Sequence, residues 1–296
     1  MKKIFDANKS FSLLVLAFFA VFISFSIYTL LSGMLSFAEL DAWDGKTIAE
    51  EFTSGNGTEE NPYVIHSAEE FMYFKSLIEG DTFSSYQDKY YVLDSNINLG
   101  GFEITPIGVE IEKEEFVPVS QEEVVEETTE EKSEEVMDSS EVVEEVPQEM
   151  EAKLVKEERI FKGHLDGQGY TIRNFKIYEA SVLGKTPYYA LFSKVEEGTI
   201  KQINLASYRI EIPEDKEGVI SGLVGSIPTG TIENVTLTDF NLKVHHEDDV
   251  VGVLAGKSEK VEILNVYVNG EINHVKDGFI RYYEEGKATT IISQLK

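Results

Sequence analysis

Cysteine is absent from this 296-residue chain. That one absence excludes disulfides, thiolate nucleophiles and cysteine-ligated zinc together, so any exported part is held by packing alone. Basic residues are scarce: 26 Lys and Arg face 54 Asp and Glu, a formal net charge of -28. Nucleic acid is thereby excluded as a partner, because backbone phosphates need a basic face. A peripheral grip on anionic lipid headgroups is disfavoured for the same reason. The local signatures of familiar chemistry are missing too. No HExxH, GxSxG or Walker-type stretch occurs, and no motif calls for a cofactor.

What is present begins with an uncharged run, "FSLLVLAFFAVFISFSIYTLL", from Phe11 to Leu31. At helical rise it spans roughly 30 Å, one hydrocarbon core. Lys2, Lys3 and Lys9 precede it and the acidic "ELDAWDGKTIAEE" follows it. That asymmetry puts residues 1–10 in the cytoplasm, residues 11–31 across the cell membrane as a single-pass signal anchor, and the rest outside. Two other fates are open. Ser36 and Ala38 form a small-x-small site, and cleavage after Ala38 would give a secreted chain. "KSFSLLV" also resembles a type IV prepilin processing site, with Ser10 in place of the usual Gly and Val15 where a Glu is expected. A cut after Ser10 would point to partners in an envelope assembly.

Residues 40–109 read as strands and one helix. Turn formers "SGNG" and "NP" precede a short strand at Tyr63–Ile65, and "SAEEFMYFKSLIEG" follows. Ser67 and Glu70 make a capping-box pattern. Phe71, Phe74, Leu77 and Ile78 fall at helical spacing, and Gly80 is a stop. "KYYVLDSNINLGG" reads as a strand ending in a turn. Residues 110–158 change character, with twenty Asp or Glu against four Lys. Such a segment repels itself and buries too little apolar surface to offset ordering entropy, so it reads as a disordered acidic insertion. Its roles would be a solvated spacer, or a binder of divalent cations or a partner.

Residues 159–296 carry an internal repeat. "TIRNFKI" (171–177), "TIKQINL" (199–205), "TIENVTL" (231–237) and "VEILNVYV" (261–268) share a central amide: Asn174, Gln202, Asn234 and Asn265. The amides lie 28, 32 and 31 residues apart. A second motif keeps the same period: "ALFS" (190–193), "GLVG" (222–225) and "VLAG" (253–256), with small residues at Gly222, Gly225 and Gly256. A period of this size means a solenoid or an array. Apolar residues alternate on each side of the amide, so the segments are strands. Parity breaks at the amide, where the chain turns a corner in the left-handed backbone that Asn tolerates. The expected fold is a right-handed parallel β-helix with a short capping α-helix, preceded by the transmembrane helix. "FKGHLDGQGYTIRNFKIY" becomes the first regular coil, with Gly163, Gly167 and Gly169 as tight corners. No helix follows them, so they are no phosphate loop. "FIRYYEEGKATTIISQL" near the carboxyl end suits a cap over the open coil.

The order "GTEENPYVI", helix, "YYVLDSNINLGG", "TPIG", "FKGHLDGQGYTIRNFKI" and the "GLVG" segments resembles the GLUG-motif β-helix modules of bacterial surface proteins. These occur in adhesin-like proteins and beside protease domains of the IgA-cleaving type. The resemblance covers roughly residues 50–108 and 159–275. It implies a scaffold or adhesive binding role, with a glycan or surface protein as ligand, and carries over no site residue.

The chemistry candidates are few. Asp166 in "LDGQG" is a turn residue that caps its own backbone. "HHEDD" (245–249) is the densest polar cluster, and His245, His246, Asp248 and Asp249 are its candidate metal ligands or paired carboxylates. The cluster lies where the repeat places a solvated loop. Tyr188, Tyr189, Tyr208 and Tyr267 are candidates for an exposed sugar-stacking strip. The reading that follows is a non-enzymatic, membrane-anchored surface module. A glycan-active β-helix enzyme is the rival, and it predicts carboxylates converging on one flank of the solenoid.

Overall fold

The computed structural model describes residues 42–80, 86–118, 150–274 and 291–295. The chain is mainly β, a parallel β-solenoid of about five turns with one short helix. The elements run β1 (Tyr63–Ile65), α1 (Ala68–Glu79), β2 (Tyr90–Leu93), β3 (Ile97–Glu103), β4 (Val109–Pro118), β5 (Met150–Arg159), β6 (His164–Asp166) and β7 (Thr171–Ile177). They continue with β8 (Ser181–Leu183), β9 (Thr186–Tyr189), β10 (Phe192–Lys194), β11 (Gly198–Lys201), β12 (Asn204–Glu211), β13 (Val219–Ile220) and β14 (Val224–Glu233). Last come β15 (Thr236–Val244), β16 (Val250–Val251), β17 (Ala255–Leu264), β18 (Val266–His274) and β19 (Ile291–Leu295). The segments that decide anchoring or cleavage, Ser10, Phe11–Leu31 and Ala38, lie outside the described residues. Among the described residues no helix is long and apolar enough to cross a membrane. Of the expected carboxyl-terminal cap, only β19 is described, and it pairs in parallel with β18.

Three sheets form the walls of the coil. One runs β1-β2-β6-β11-β14, with β10 and β17 also on β14. The second runs β3-β7-β12-β15-β18-β19, and the third β8-β9-β13-β16. Inward residues stack in register. Ile97, Ile172, Leu205, Leu237 and Val268 form one column. Tyr91, Leu165, Ile200, Ile232 and Ile263 form another. All ten are buried, and each of the nine aliphatic side chains contributes about 1.5–3 kcal/mol over leaving it exposed.

The corners are built from left-handed residues, but in two columns rather than one. Gln202, Asn234 and Asn265 have φ of 52°, 53° and 52° and share the corner between the first and second sheets. Asn174 has φ 57°, yet it belongs elsewhere. β7 pairs with β12, setting Arg173 beside Ala206, so Asn174 lines up with Ser207 and Asp239, which have φ of 53° and 51°. "TIRNFKI" is therefore the counterpart of "NLASYRI", and "TIKQINL" continues from β11, which pairs with β6. Each corner has one short amide link, Asn174 Nδ2 to Asn98 Oδ1 at 2.8 Å and Asn265 Nδ2 to Asn234 Oδ1 at 3.0 Å. Of the three glycines at the opening coil, Gly169 alone has positive φ, 82°. Gly163 and Gly167 serve close approach instead. A Cβ on Gly163 would collide with the Lys89 carbonyl, and one on Gly167 would sit 2.6 Å from the Gln202 carbonyl.

The "ALFS", "GLVG" and "VLAG" segments are a bend entering a strand, in register at Phe192, Val224 and Ala255. "TPIG" is their counterpart one coil earlier, since Ile107 bridges to Phe192. The residues that follow, Gly108, Ser193, Gly225 and Gly256, stack so closely that an added Cβ on each glycine meets the column. That at Gly225 would lie 2.6 Å from the Ser193 carbonyl. A Cβ on Gly222 would collide with the Tyr208 hydroxyl.

Helix α1 is capped as its sequence implies: Ser67 Oγ accepts from Glu70 N at 3.3 Å. The reciprocal half differs, because the Glu70 carboxylate accepts from His66 N at 2.6 Å and Thr53 N at 2.8 Å. Phe71, Phe74 and Ile78 are fully buried, Met72 is buried beside them, and Leu77 is half-buried. The Phe74 ring lies 4.6 Å from Tyr91 and 5.7 Å from Phe161. Gly80 ends the helix in extended backbone, and Arg159 donates to its carbonyl.

Glu110–Glu158 is a second compact unit. Its ends are not disordered, contrary to the composition: β4 and β5 form a two-stranded sheet. Lys113 Nζ lies 2.7 Å from Glu157 and Lys156 Nζ 2.6 Å from Glu110. The two lysines are placed to offset the acidic strands, although each exposed pair is worth only about 0–1 kcal/mol. Residues 119–149 lie outside the described residues.

Candidate functional site

The "HHEDD" cluster is distributed among structural bonds. Asp249 is buried, and its two oxygens accept from Gly218 N and His246 N, each at 3.1 Å. His246 Nε2 lies 2.6 Å from the Glu214 carbonyl. His245 Nε2 lies 3.3 Å from Glu211 Oε1, which also takes Lys243 at 2.8 Å. Burial works against the charged form of Glu211, but hydrogen bonds from Lys243, His245 and Arg209 outweigh it and hold the carboxyl below its ordinary value. Asp248 is exposed. These contacts clip the loop after β12 to the loop after β15, and among the described residues no three His, Asp or Glu side chains gather as metal ligands.

Asp166 caps its turn, accepting from Gln168 N at 2.9 Å. The sugar-stacking strip does not form, because Tyr188, Tyr189 and Tyr208 are buried at 7%, 3% and 3% exposure. Tyr267 is half-buried. Tyr208 instead belongs to an aromatic stack that crosses three coils. Its ring lies 4.9 Å from Phe175 at 2° and 5.4 Å from Phe240 at 19°. Its hydroxyl has no hydrogen-bond partner among the described residues, and burial pushes the phenol well above its ordinary value.

The stack stops at the next coil, and there a cleft opens. β15 and β18 shift register between Thr238 and Asn241, so that Gly270 alone answers Asp239 and Phe240. Gly270 packs directly against the Phe240 ring, with which a Cβ would collide, and beside this bulge lies a cleft of about 490 Å³, walled by Tyr208, Phe240 and Gly270 and lined by Thr238, Asp239, Asn241, Asn269 and Glu271. Asp239, Asn269 and Glu271 are exposed. Sequence patterning misses this site because its residues are unremarkable polar types on outward strand positions. The signal that marks it is the shortened spacing: Leu237 pairs with Val268, but Leu242 pairs with Ile272.

No protein-family model, curated protein or solved structure matches the chain.

Proposed function

We propose that the chain is a non-enzymatic surface module, anchored in the cell membrane by Phe11–Leu31 and displaying its solenoid outside the cell. Its role is adhesive or structural, and its coil is right-handed, the sense that parallel crossovers favour. The observation that carries this reading is how the candidate chemical groups are used. Asp166 and Asp249 accept backbone N–H groups of turns, and His245 and Glu211 join neighbouring coils. A rigid stacked scaffold with a polar outer face suits presentation of a binding surface. The likeness to GLUG-motif modules of bacterial surface proteins points the same way.

The test is the mature amino terminus and membrane partition of the expressed protein, by fractionation and intact mass. An amino end at Met1 or Lys2, in the membrane fraction, supports the anchored module. A cut after Ser10 replaces it with an envelope-assembly component, and a cut after Ala38 with release replaces it with a secreted solenoid.

A further inference from the structure

The cleft at the end of the aromatic stack holds polar groups of which only Asp239 bonds another side chain among the described residues. Thr238, Asn241, Asn269 and Glu271 carry no side-chain hydrogen bond to the described residues. Asp239 has one, from Ser207 Oγ to Oδ2 at 2.6 Å, which leaves Oδ1 open. Elsewhere on the same sheet such groups pair between or along coils, as Asn174 with Asn98 and Arg209 with Glu211. Two carboxylates, two amides and a hydroxyl thus meet in one recess, and among the described residues only Asp239 Oδ2 is engaged.

We propose that this cleft binds a short segment of neutral or amino-bearing glycan, a reading that rests on the surface-module function above. Three features select that ligand. Size is the first: about 490 Å³ falls within the roughly 300–1,000 Å³ of small-ligand sites. It is more than ten times the ~30 Å³ of a water molecule, too open to bring six oxygens to about 2.3–2.6 Å from one calcium ion. Functional-group pattern is the second. Side-chain amides and carboxylates bond vicinal hydroxyls as both donors and acceptors, and the carboxylates pair with an ammonium where the sugar carries one. Charge is the third. Asp239, Glu271 and the net charge of -28 repel uronates and phosphate-bearing polymers. Phe240 and Tyr208 show only 3% exposure each, so recognition comes from hydrogen bonds at the rim rather than from ring stacking.

The experiment is saturation-transfer NMR on the full chain in detergent, with cellobiose, glucosamine disaccharide and digalacturonate as probes at millimolar concentration. Each probe is run with and without EDTA. Transfer is expected to cellobiose and to the glucosamine disaccharide, not to digalacturonate, and unchanged by EDTA. The D239A/E271A variant should lose it at least tenfold, N269A several-fold, and E262Q on the first sheet not at all. Circular dichroism checks that the variants, all at exposed positions, keep the fold. Absence of transfer to both expected sugars, transfer that survives D239A/E271A, or transfer abolished by EDTA overturns the proposal. Its failure is distinct from that of the surface-module reading: a released chain that still gives transfer keeps the cleft and sinks the anchor, and an anchored chain without transfer does the reverse.

Discussion

Tyr208 carries a buried hydroxyl with no partner among the described residues, and an unsatisfied buried polar group costs about 1–3 kcal/mol. Tyr208→Phe keeps the ring between Phe175 and Phe240 and removes that penalty, so the variant should be more stable by about 1 kcal/mol. A higher urea midpoint at unchanged m would show it, and a lower midpoint would mean that the hydroxyl has a partner in solution. Glycines of two kinds offer a second residue-level test. Gly169→Ala meets nothing within 4 Å and suffers only the left-handed backbone, about 1–2 kcal/mol. Gly225→Ala forces a methyl onto the Ser193 carbonyl, where backbone must move. It should cost about 3 kcal/mol or more, at the upper end of overpacking penalties. Equal losses at the two sites would refute the close-approach reading of the small-residue column. The sequence shows that glycine is needed at such places without showing which need applies, because left-handed backbone and close approach select the same residue. The asparagine corners were legible. Ser207 and Asp239, equally left-handed, were not, since neither residue type marks that backbone as Asn or Gly does.

At the scale of elements, α1 was readable almost whole because cap, periodic apolar face and stop all agree locally. Its function in the fold follows from Phe74, whose ring meets Tyr91 on β2, Phe192 on β10 and Phe161 in the link between β5 and β6. Phe74→Ala should cost about 3–5 kcal/mol, and Ser67→Ala, which removes only the cap, about 1 kcal/mol. Thermal unfolding of both variants checks the ranking, and near-equal losses would place the helix outside the cooperative core. The first coil was assigned one corner out of place. "TIRNFKI" and "TIKQINL" look alike because both are strand, left-handed amide, strand, and two different corners of the solenoid use that same local solution. Only the pairing of β7 with β12 separates them. The insertion was misread at its ends for the opposite reason. Its charge suggested self-repulsion, while Lys113 and Lys156 sit where a two-stranded sheet brings them to Glu157 and Glu110. Those partners are more than forty positions away in sequence, beyond the reach of local patterning.

For the molecule as a whole, the solenoid links each coil mainly to its two neighbours, so stability is a sum of coil and interface terms. The period, and with it the fold class, was legible because the same apolar columns must be filled on every turn. The cleft was not, because it lies at a register shift confined to one turn. Position along the stack should then set local stability. β11 and β12 are paired on both sides, by β6 and β14 and by β7 and β15. Among the described residues, β17 pairs with β14 alone. Native-state hydrogen exchange should therefore find β16 and β17 opening at lower free energy than β11 and β12. Asn234→Ala, which places a β-carbon residue without amide bonding in left-handed backbone (φ 53°) and removes the acceptor for Asn265, should destabilise its corner by about 1–2 kcal/mol. In a stack linked by nearest neighbours, that loss should speed exchange in β17 and β18 while leaving β6 and β7 close to wild type. A uniform acceleration across all coils would instead show that the solenoid opens as one cooperative block.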